Sequence, residues 1–276
     1  MAILFAQFGV TADFLPLSEG NSITQVAAGA INKRYDVVVA GGGDGTVNAV
    51  ASALIGTSTP MGILPMGTLN HFAKDLKVPI DMEAAVKTIV SGRVKLVDVG
   101  EVNGRLFVNN SSLGLYPSIV RLREAIQKSG YQKWPAFVRA VWAIFLRFPR
   151  LRLELKSATA PISRTVTPLL FIGNNPYETT LTQLGSRSAM DQGKLWVVVP
   201  KAETRWQLVA ALFTLVRGRS VASDVSAFEA ENLVVNNKRS ALNIAVDGEV
   251  LLLEPPLHYQ IRPKALKVIV PSETLQ

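Results

Sequence analysis

Tyr35-Asp-Val-Val-Val-Ala-Gly-Gly-Gly-Asp-Gly-Thr46 joins an apolar, β-branched run directly to a turn that is rich in glycine. A short run of this composition is typical of a strand that is buried on both faces. The residues after the turn, Val47–Ile55, carry apolar side chains at helical spacing. A strand, a glycine turn and a helix in this order predict one β-α unit of a parallel sheet.

The flanking residues extend this pattern over the first hundred positions. Met61–Pro65 predicts a second buried strand that ends in the turn Met66-Gly-Thr68, and Thr11–Leu17 predicts a short strand of its own. Helices are predicted over three further segments, Asn21–Asn32, Asn70–Leu76 and Met82–Val90. Short strands that alternate with helices favour a parallel sheet that binds ligands at the carboxyl ends of its strands.

Beyond residue 98 the pattern changes to alternating apolar and polar residues. Asn103-Gly104 lies between two strand-like segments, Lys95–Val102 and Arg105–Ser111, and is a strong hairpin signal. Strands are also predicted over Leu151–Lys156, Val166–Gly173, Leu195–Pro200, Val221–Ala230, Leu233–Asn236, Ala241–Val246, Val250–Glu254 and Leu266–Val270. We therefore predict an α/β domain over 1–98 and a mainly antiparallel β domain over 99–276, whose C-terminal tail is free to return to the first domain.

The glycine turn has the composition of a phosphate-binding loop. Gly42, Gly43 and Gly45 have no Cβ, so backbone N–H groups there can approach phosphate oxygens closely. The helix that follows points its partly positive N-terminus at the same spot, and Thr46 adds a hydroxyl donor. Asp44 would be repelled by phosphate unless it holds Mg²⁺ or accepts a proton. The alternative is a tight turn that needs glycine for steric reasons only.

A second glycine turn strengthens the phosphate interpretation. Neighbouring parallel strands would bring Gly67 and Thr68 beside the first loop, so that two turns rich in N–H groups converge on one crevice. The first loop is not followed by Gly-Lys-Ser/Thr, which excludes a Walker A loop. It also lacks the Gly-x-Gly-x-x-Gly spacing of dinucleotide folds, which disfavours NAD-dependent redox chemistry.

Composition limits the partners and the compartment. The formal net charge is +8, and the segment Arg121–Arg152 holds eight basic residues against Glu124 alone. Such a stripe suits nucleic acid, an anionic membrane or a phosphorylated ligand. The chain has no cysteine, so disulfides and thiolate metal sites are excluded. With no recognisable leader or membrane-spanning segment, we expect a cytoplasmic protein, either free or bound peripherally at the anionic inner membrane surface.

Three segments in chain order resemble the diacylglycerol kinase catalytic-domain family, which includes bacterial lipid kinases and sphingosine kinases. They are Val39-Ala-Gly-Gly-Gly-Asp-Gly-Thr-Val-Asn48, Gly62-Ile-Leu-Pro-Met-Gly-Thr-Leu-Asn-His-Phe-Ala73 and Asp247-Gly-Glu249. The resemblance implies an α/β domain similar to NAD kinases and phosphofructokinases, a β-rich second domain, and ATP bound in the cleft between them together with Mg²⁺.

The resemblance also implies roles for individual residues. Nucleotide binding falls to Gly43, Asp44, Gly45, Thr46, Val47 and Asn48 in the first loop and its helix, with Thr68 contacting phosphates from the second loop. Glu249 takes the position of the proton acceptor and Asp247 lies beside it, while Asp44 is the rival in the sphingosine-kinase branch. A lipid hydroxyl needs such a base. Without the resemblance, Asp247-Gly-Glu249 would be interpreted as an ordinary hairpin turn.

The sequence departs from the family at three places. The opening strand and its Asn-Pro-x-Ser-Gly-type loop have no counterpart, and the first residues match the helix that should follow. Gln192 stands where some members place the carboxylate of a structural Mg²⁺ site, so that site is not predicted and the metal ligands stay unknown; Asp191 is adjacent rather than equivalent. His71 replaces a frequent aspartate near the cleft, and we interpret it as a structural residue.

The expected function is an ATP-dependent kinase that acts on a lipid hydroxyl of the diacylglycerol type. Two segments predicted to be helical, Lys133–Arg147 and Arg205–Arg219, mix Trp, Phe and Arg, which suits either a membrane interface or the core of the β domain. Core packing is the favoured alternative, and nucleic-acid binding is disfavoured because no motif for it is present. A soluble acceptor such as NAD or a polyol, and a non-catalytic nucleotide- or lipid-binding module, remain alternatives. The acceptor and the oligomeric state stay open.

Overall fold

The computed structural model describes residues 1–15, 22–118, 120, 142, 150–158, 162–178, 186–187, 189–201, 204, 206–207 and 225–272. The chain forms two compact units. The first comprises Met1–Val99, Ser188–Gln192 and Arg262–Gln276, and the second comprises Gly100–Arg187 and Gly193–Ile261.

The first hundred residues supply helices and two short strands. The helices are α1 (Ala2–Gln7), α2 (Ile23–Asn32), α3 (Asp44–Leu54), α4 (His71–Asp75) and α5 (Met82–Ser91). The strands before residue 92 are β1 (Val38–Gly42) and β2 (Met61–Pro65). The predicted helices at α2, α3, α4 and α5 and the strand at β2 are confirmed, each within a few residues.

The remaining strands follow one another to the C-terminus. They are β3 (Arg93–Val102), β4 (Arg105–Phe107), β5 (Asn110–Gly114), β6 (Leu151–Ser157), β7 (Ser163–Thr167), β8 (Leu169–Asn174), β9 (Leu195–Pro200), β10 (Val225–Ala230), β11 (Asn232–Asn236), β12 (Leu242–Val246), β13 (Glu249–Leu253) and β14 (Leu257–Val270).

Parallel strands form the sheet of the first unit. β1 pairs with β2 from Val38↔Met61 to Gly42↔Pro65, and Val268 of β14 pairs with Met61 in the same sense. The β2 residues are all buried, and α5 packs closely against Gly62, where an added Cβ would lie only 3.1 Å from Ile89 Cγ1. The carboxyl ends of β1 and β2 therefore lie side by side, which places the two glycine turns at one edge of the sheet.

The helix ends follow local capping rules. Ser22 starts α2 with a capping box, in which its hydroxyl accepts from Gln25 N and its own N–H donates to the Gln25 side chain. Asp81 starts α5 by accepting from Ala84 N at 2.9 Å. The predicted strand over Thr11–Leu17 is wrong for residues 11–15, which have no regular structure, and its last two residues lie outside the described part of the chain.

Antiparallel strands dominate the second unit, as predicted. One sheet orders its strands β10-β9-β8-β5-β12-β13, and another joins β7 to β6, β6 to β11, and β11 to the first residues of β14. Side chains from both sheets form one core that includes Phe107, Leu170, Leu195, Leu233 and Tyr259. A parallel-sheet α/β unit and an antiparallel β unit confirm the predicted fold class.

Two predicted strands are each divided in the structure. Arg105–Ser111 forms β4 and β5 with a break at Val108-Asn109, because the N–H groups there bond a side chain instead of a neighbouring strand. The segment Val166–Gly173 divides into β7 and β8 at Pro168, which has no N–H to donate. The Asn103-Gly104 hairpin is confirmed, since φ is 45° and 80° at the two residues.

The most basic part of the sequence lies largely outside the described residues. Of the stripe Arg121–Arg152, the structure describes Trp142 and the residues from Arg150 onwards. Of the two Trp-containing segments, it describes only Trp142 in Lys133–Arg147 and only Trp206 and Gln207 in Arg205–Arg219. Among the helices that the structure describes, none combines the length and the apolar character needed to cross a membrane.

Candidate functional site

The two glycine turns lie in direct contact. Met66 N donates to Gly42 O at 3.0 Å, which ties the start of the second turn to the first. A Cβ added to Gly67 would collide with Gly43 Cα, and a Cβ on Gly43 would lie 3.3 Å from Gly67 Cα. Glycine is required at position 67 for this approach. The predicted convergence of the two turns is therefore a feature of the structure.

Polar side chains hold each turn in shape. Asn70 is buried, adopts φ 51°, and forms two hydrogen bonds with Gly67, accepting from its N–H at 2.9 Å and donating to its carbonyl at 2.8 Å. Asp44 reaches across from the first turn, and its Oδ1 accepts from Phe72 N in the first turn of α4 at 3.2 Å. Asp44 thus links the first turn to the helix that follows the second.

The N-terminus of α3 faces open space. Gly43 is the N-cap of α3, and within the described residues no side chain caps the helix. A Cβ on Gly45 would meet nothing within 4 Å, and Gly45 is exposed. Unpaired N–H groups at a helix start, beside an open volume, form a site that favours an anion.

Asn48 adds an unsatisfied polar atom one turn further along α3. Its Oδ1 is buried and has no hydrogen-bond partner among the residues described. A buried amide oxygen without a donor is unfavourable, so a ligand or water that donates there would stabilise the site. Asn48 is therefore a residue that a donor group of a bound molecule would satisfy.

The structure brings the predicted phosphate-binding residues to one edge of the sheet. Gly42, Gly43, Asp44, Gly45, Thr46, Asn48, Gly67 and Thr68 belong to the two turns or to the first helical turns after them. Thr68 is exposed, whereas the Thr46 side chain lies against Gly42. Val47 is buried in the core, so its side chain does not line the site. The binding roles of all nine remain predictions.

Asp247 lies in the turn between β12 and β13 in the second unit, and Glu249 follows it as the first residue of β13. Asp247 and Gly248 both have positive φ, 46° and 86°, which gives a two-residue hairpin turn. Glu249 is exposed at the start of β13. The Asp247 carboxylate instead turns back to the protein and accepts hydrogen bonds from the N–H groups of Val108, Asn109 and Asn110 at 2.8–2.9 Å.

Opposing effects set the protonation of Asp247. Burial raises its pKa to about 6, and the three backbone hydrogen bonds together with the Arg187 charge act in the opposite direction. The carboxylate oxygens are already occupied by backbone donors. This arrangement suits a residue that holds the turn in place.

The sequence did not indicate the polar network that surrounds the same backbone. Arg187 is buried and donates to Val108 O at 2.7 Å, Asn174 O at 3.0 Å and Asn109 Oδ1 at 2.8 Å, with its guanidinium over the Tyr177 ring. Tyr177 Oη donates to Asn109 O at 3.0 Å. Asp247 thus holds the Val108–Asn110 segment through its N–H groups, and Arg187 holds it through Val108 O and the Asn109 side chain.

Metal ligands are sparse among the residues that the structure describes. They include no group of three or more His, Asp or Glu side chains arranged to hold an ion. Asp191, next to the Gln192 that departs from the family pattern, pairs with Lys95 at 3.7 Å. Mg²⁺ commonly keeps several waters and uses one or two carboxylates plus substrate phosphates. Asp44 fits that limited role.

Comparisons with known proteins place the chain in a family. The model of the diacylglycerol kinase catalytic domain matches residues 1–102, and that of the YegS C-terminal NAD kinase beta sandwich-like domain matches residues 139–270. A diacylglycerol kinase of Staphylococcus saprophyticus is 38% identical over 97 residues, which are 34% of this chain and 32% of that protein. A diacylglycerol kinase of Staphylococcus aureus is 24% identical over 230 residues, covering 82% and 72% of the two chains.

Solved structures show the same fold. A diacylglycerol kinase structure from Bacillus anthracis aligns with a TM-score of 0.67 at 19% identity, covering 93% of this chain and 84% of that one. An NAD kinase from Archaeoglobus fulgidus in complex with ATP aligns with a TM-score of 0.52 at 10% identity, covering 97% and 86%. The two matched domains, the named relatives and the shared architecture show that this chain belongs to the diacylglycerol kinase catalytic-domain family.

Proposed function

We propose that this protein is an ATP-dependent lipid kinase that transfers the γ-phosphate of ATP to a lipid hydroxyl. The observation that carries the proposal is the backbone contact between Gly43 and Gly67, which joins two glycine turns at the carboxyl ends of β1 and β2. Ligands of open α/β sheets bind at that edge. The lipid acceptor is supported by the names of the relatives.

The first turn would bind the phosphates of ATP mainly through backbone groups. N–H groups at the start of α3 are free of side-chain caps, and the space beside Gly45 is open to a phosphate. Thr68 would add a hydroxyl donor from the second turn. Phosphoryl transfer depends on such positioning and on neutralising charge, because the protein does little covalent chemistry.

Mg²⁺ would supply the charge neutralisation that the backbone cannot. Asp44 is the carboxylate at the turn, and its Oδ1 already accepts from Phe72 N. Its other oxygen is left to bind the ion or a water of the ion. The phosphates and water would provide the remaining ligands.

Glu249 would accept the proton of the acceptor hydroxyl. The hydroxyl oxygen forms a bond to the γ-phosphorus, the bond to the β,γ-bridging oxygen breaks, and ADP leaves while Glu249 holds the proton. Glu249 is exposed and therefore accessible to an acceptor. Asp247 would act as a positioning residue, because its carboxylate is bonded to the Val108–Asn110 backbone.

Transfer of labelled γ-phosphate tests the proposal. We expect the full chain with Mg²⁺ and γ-labelled ATP to label dioleoylglycerol in mixed micelles, and not NAD or glycerol. Labelling of NAD or glycerol alone would overturn the lipid acceptor but leave the kinase. ATP that is neither bound nor consumed with any acceptor would overturn the kinase proposal.

Two variants test the residue assignments in the same assay. Asp44→Ala and Glu249→Ala should each reduce transfer by at least about a hundredfold if they hold the ion and accept the proton. Glu254→Ala is the matched control, since Glu254 is also exposed and lies in the same part of the chain. Full transfer by both site variants would show that the assignments are wrong.

A further inference from the structure

A cavity lies within the antiparallel unit, where its two sheets end. Its volume is about 390 Å³, which is within the range of about 300–1,000 Å³ for small-molecule sites. Two edge strands, β7 and β10, border it. In the part of the chain that the structure describes, the cavity is therefore a gap between the edge strands of the two sheets.

The floor of this cavity is apolar. Leu155, Val199 and Leu233 line it and are nearly fully buried members of the core, and Phe228 packs against that core from β10. An aliphatic chain that entered the gap would continue the packing of these side chains.

The rim of the cavity is positively charged. Arg164 and Lys201 line it, and none of its eleven lining residues is acidic. Glu154, which lies opposite Arg164 in the β6–β7 pair, is shared by Lys156 at 2.9 Å and Arg164 at 3.6 Å. Lys201 has no ion pair within the described part of the chain. Among the lining residues, two cations and no carboxylate give the rim its positive charge.

The cavity is separate from the Asp247-Gly-Glu249 turn. Strand β9 begins at Leu195, which pairs with Asn174 of the network around Arg187, and ends at Pro200 next to the cavity. Five steps along a strand span roughly 17 Å. The cavity and the polar network thus lie at opposite ends of the same strand.

We propose that this cavity, the β7–β10 pocket, binds a single-chain anionic lipid such as a fatty acid. The aliphatic chain lies on Leu155, Val199, Leu233 and Phe228, and the anionic head group binds Arg164 and Lys201. The apolar floor alone would accept any hydrocarbon, and the cations alone any anion. Their combination favours a ligand that carries both groups on one molecule.

Titration calorimetry with three matched probes tests the pocket. Sodium dodecanoate, below the concentration at which it forms micelles, should bind the full chain saturably with one site per chain. Dodecanol, which has the chain without the charge, and acetate, which has the charge without the chain, should each bind at least about tenfold more weakly. Equal binding of dodecanol would overturn the role of the cations.

Variants locate the site. Arg164→Gln with Lys201→Gln should weaken dodecanoate about tenfold, because charge-assisted contacts contribute more than about 1.4 kcal/mol in sum. Lys238→Gln, which removes an exposed lysine outside the pocket, should leave binding unchanged. Ala227→Trp should fill the pocket and abolish binding, with circular dichroism confirming the fold. Unchanged binding in both pocket variants would overturn the proposal.

The assay needs no catalysis, so its result is independent of the proposed kinase activity. Asp44→Ala should bind dodecanoate as the unmodified protein does. If the protein transfers phosphate but does not bind dodecanoate, only the pocket proposal is refuted. If it binds dodecanoate but does not transfer phosphate, only the kinase proposal is refuted.

Discussion

Gly43 and Gly67 lie on different strand-to-helix connections, yet their backbones touch, and a Cβ on Gly67 would lie 2.8 Å from Asn70 Oδ1 as well as colliding with Gly43 Cα. Asn70 in turn holds Gly67 through two hydrogen bonds. The two turns therefore form one backbone surface at the end of the parallel sheet. The proposal that one anion binds at both turns rests on this contact.

Gly67→Ala should destabilise the protein and abolish transfer together. The added methyl group must displace either the Gly43 backbone or the Asn70 side chain, and such overpacking typically costs about 1–3 kcal/mol of unfolding free energy. Chemical denaturation followed by tryptophan fluorescence measures the loss. An unfolding free energy equal to that of the unmodified protein would show that the turns are further apart than described.

Two substitutions of Asp44 separate its structural role from its proposed catalytic role. Asp44→Asn keeps an oxygen that accepts from Phe72 N, so its unfolding free energy should change by less than about 0.5 kcal/mol. Asp44→Ala loses that bond and should cost about 1 kcal/mol. Both should lose phosphate transfer, because neither keeps the negative charge that Mg²⁺ requires. Full transfer by Asp44→Asn would show that the charge is dispensable.

Glu249→Gln should affect catalysis without affecting the fold. Glu249 is exposed, so thermal unfolding should be unchanged, whereas kcat should fall by about 10²–10⁴ if it accepts the proton. KM for ATP should stay the same, since Glu249 is not assigned to the nucleotide. Glu254→Gln serves as the matched exposed control. A loss confined to KM would contradict the proton-acceptor role.

The raised pKa of Asp247 predicts that the stability of the protein changes with pH in a defined direction. Burial raises its folded-state pKa from 3.8 to about 6, so the folded protein binds more protons than the unfolded chain between these values. The contribution of Asp247 to stability should therefore fall as pH rises from about 4 to about 6, by at most about 3 kcal/mol and by less with solvent screening.

The comparison with Asp247→Asn isolates this group. The difference in unfolding free energy, unmodified protein minus variant, should decrease from pH 4 to pH 6 and level off above. An increase over the same range would mean that the three backbone hydrogen bonds outweigh burial and hold the pKa of Asp247 below its ordinary value.

The parallel unit could be predicted from sequence because its signals are local. Met61–Pro65 is an apolar run bounded by turn residues, and the strand has those bounds in the structure. The contact between the two turns followed from a general rule, that the carboxyl ends of neighbouring parallel strands meet at one edge. The exception is the pairing of Val268 with Met61, which joins residues far apart in the sequence.

The antiparallel unit was harder to predict because side chains distant in sequence decide its local structure. The Asp247 carboxylate accepts hydrogen bonds from the N–H groups of Val108–Asn110, which lie 137 to 139 residues away in the sequence. These bonds interrupt the strand between β4 and β5. Arg187 holds the same segment from 79 residues away through Val108 O. Neither contact leaves a periodic pattern, so the sequence indicated one continuous strand there.

The most direct measurement is ATP binding by Gly45→Ala. A methyl group at this position meets no atom within 4 Å, and alanine is more favourable than glycine in a helix by up to about 1 kcal/mol, so the fold should be retained or stabilised. Gly29→Ala in α2, also open and exposed, is the matched control. If the turn holds the phosphates, calorimetry with Mg²⁺ and ATP should show binding by Gly29→Ala as in the unmodified protein and at least about tenfold weaker binding by Gly45→Ala. Equal affinities of the two variants would contradict phosphate binding at this turn.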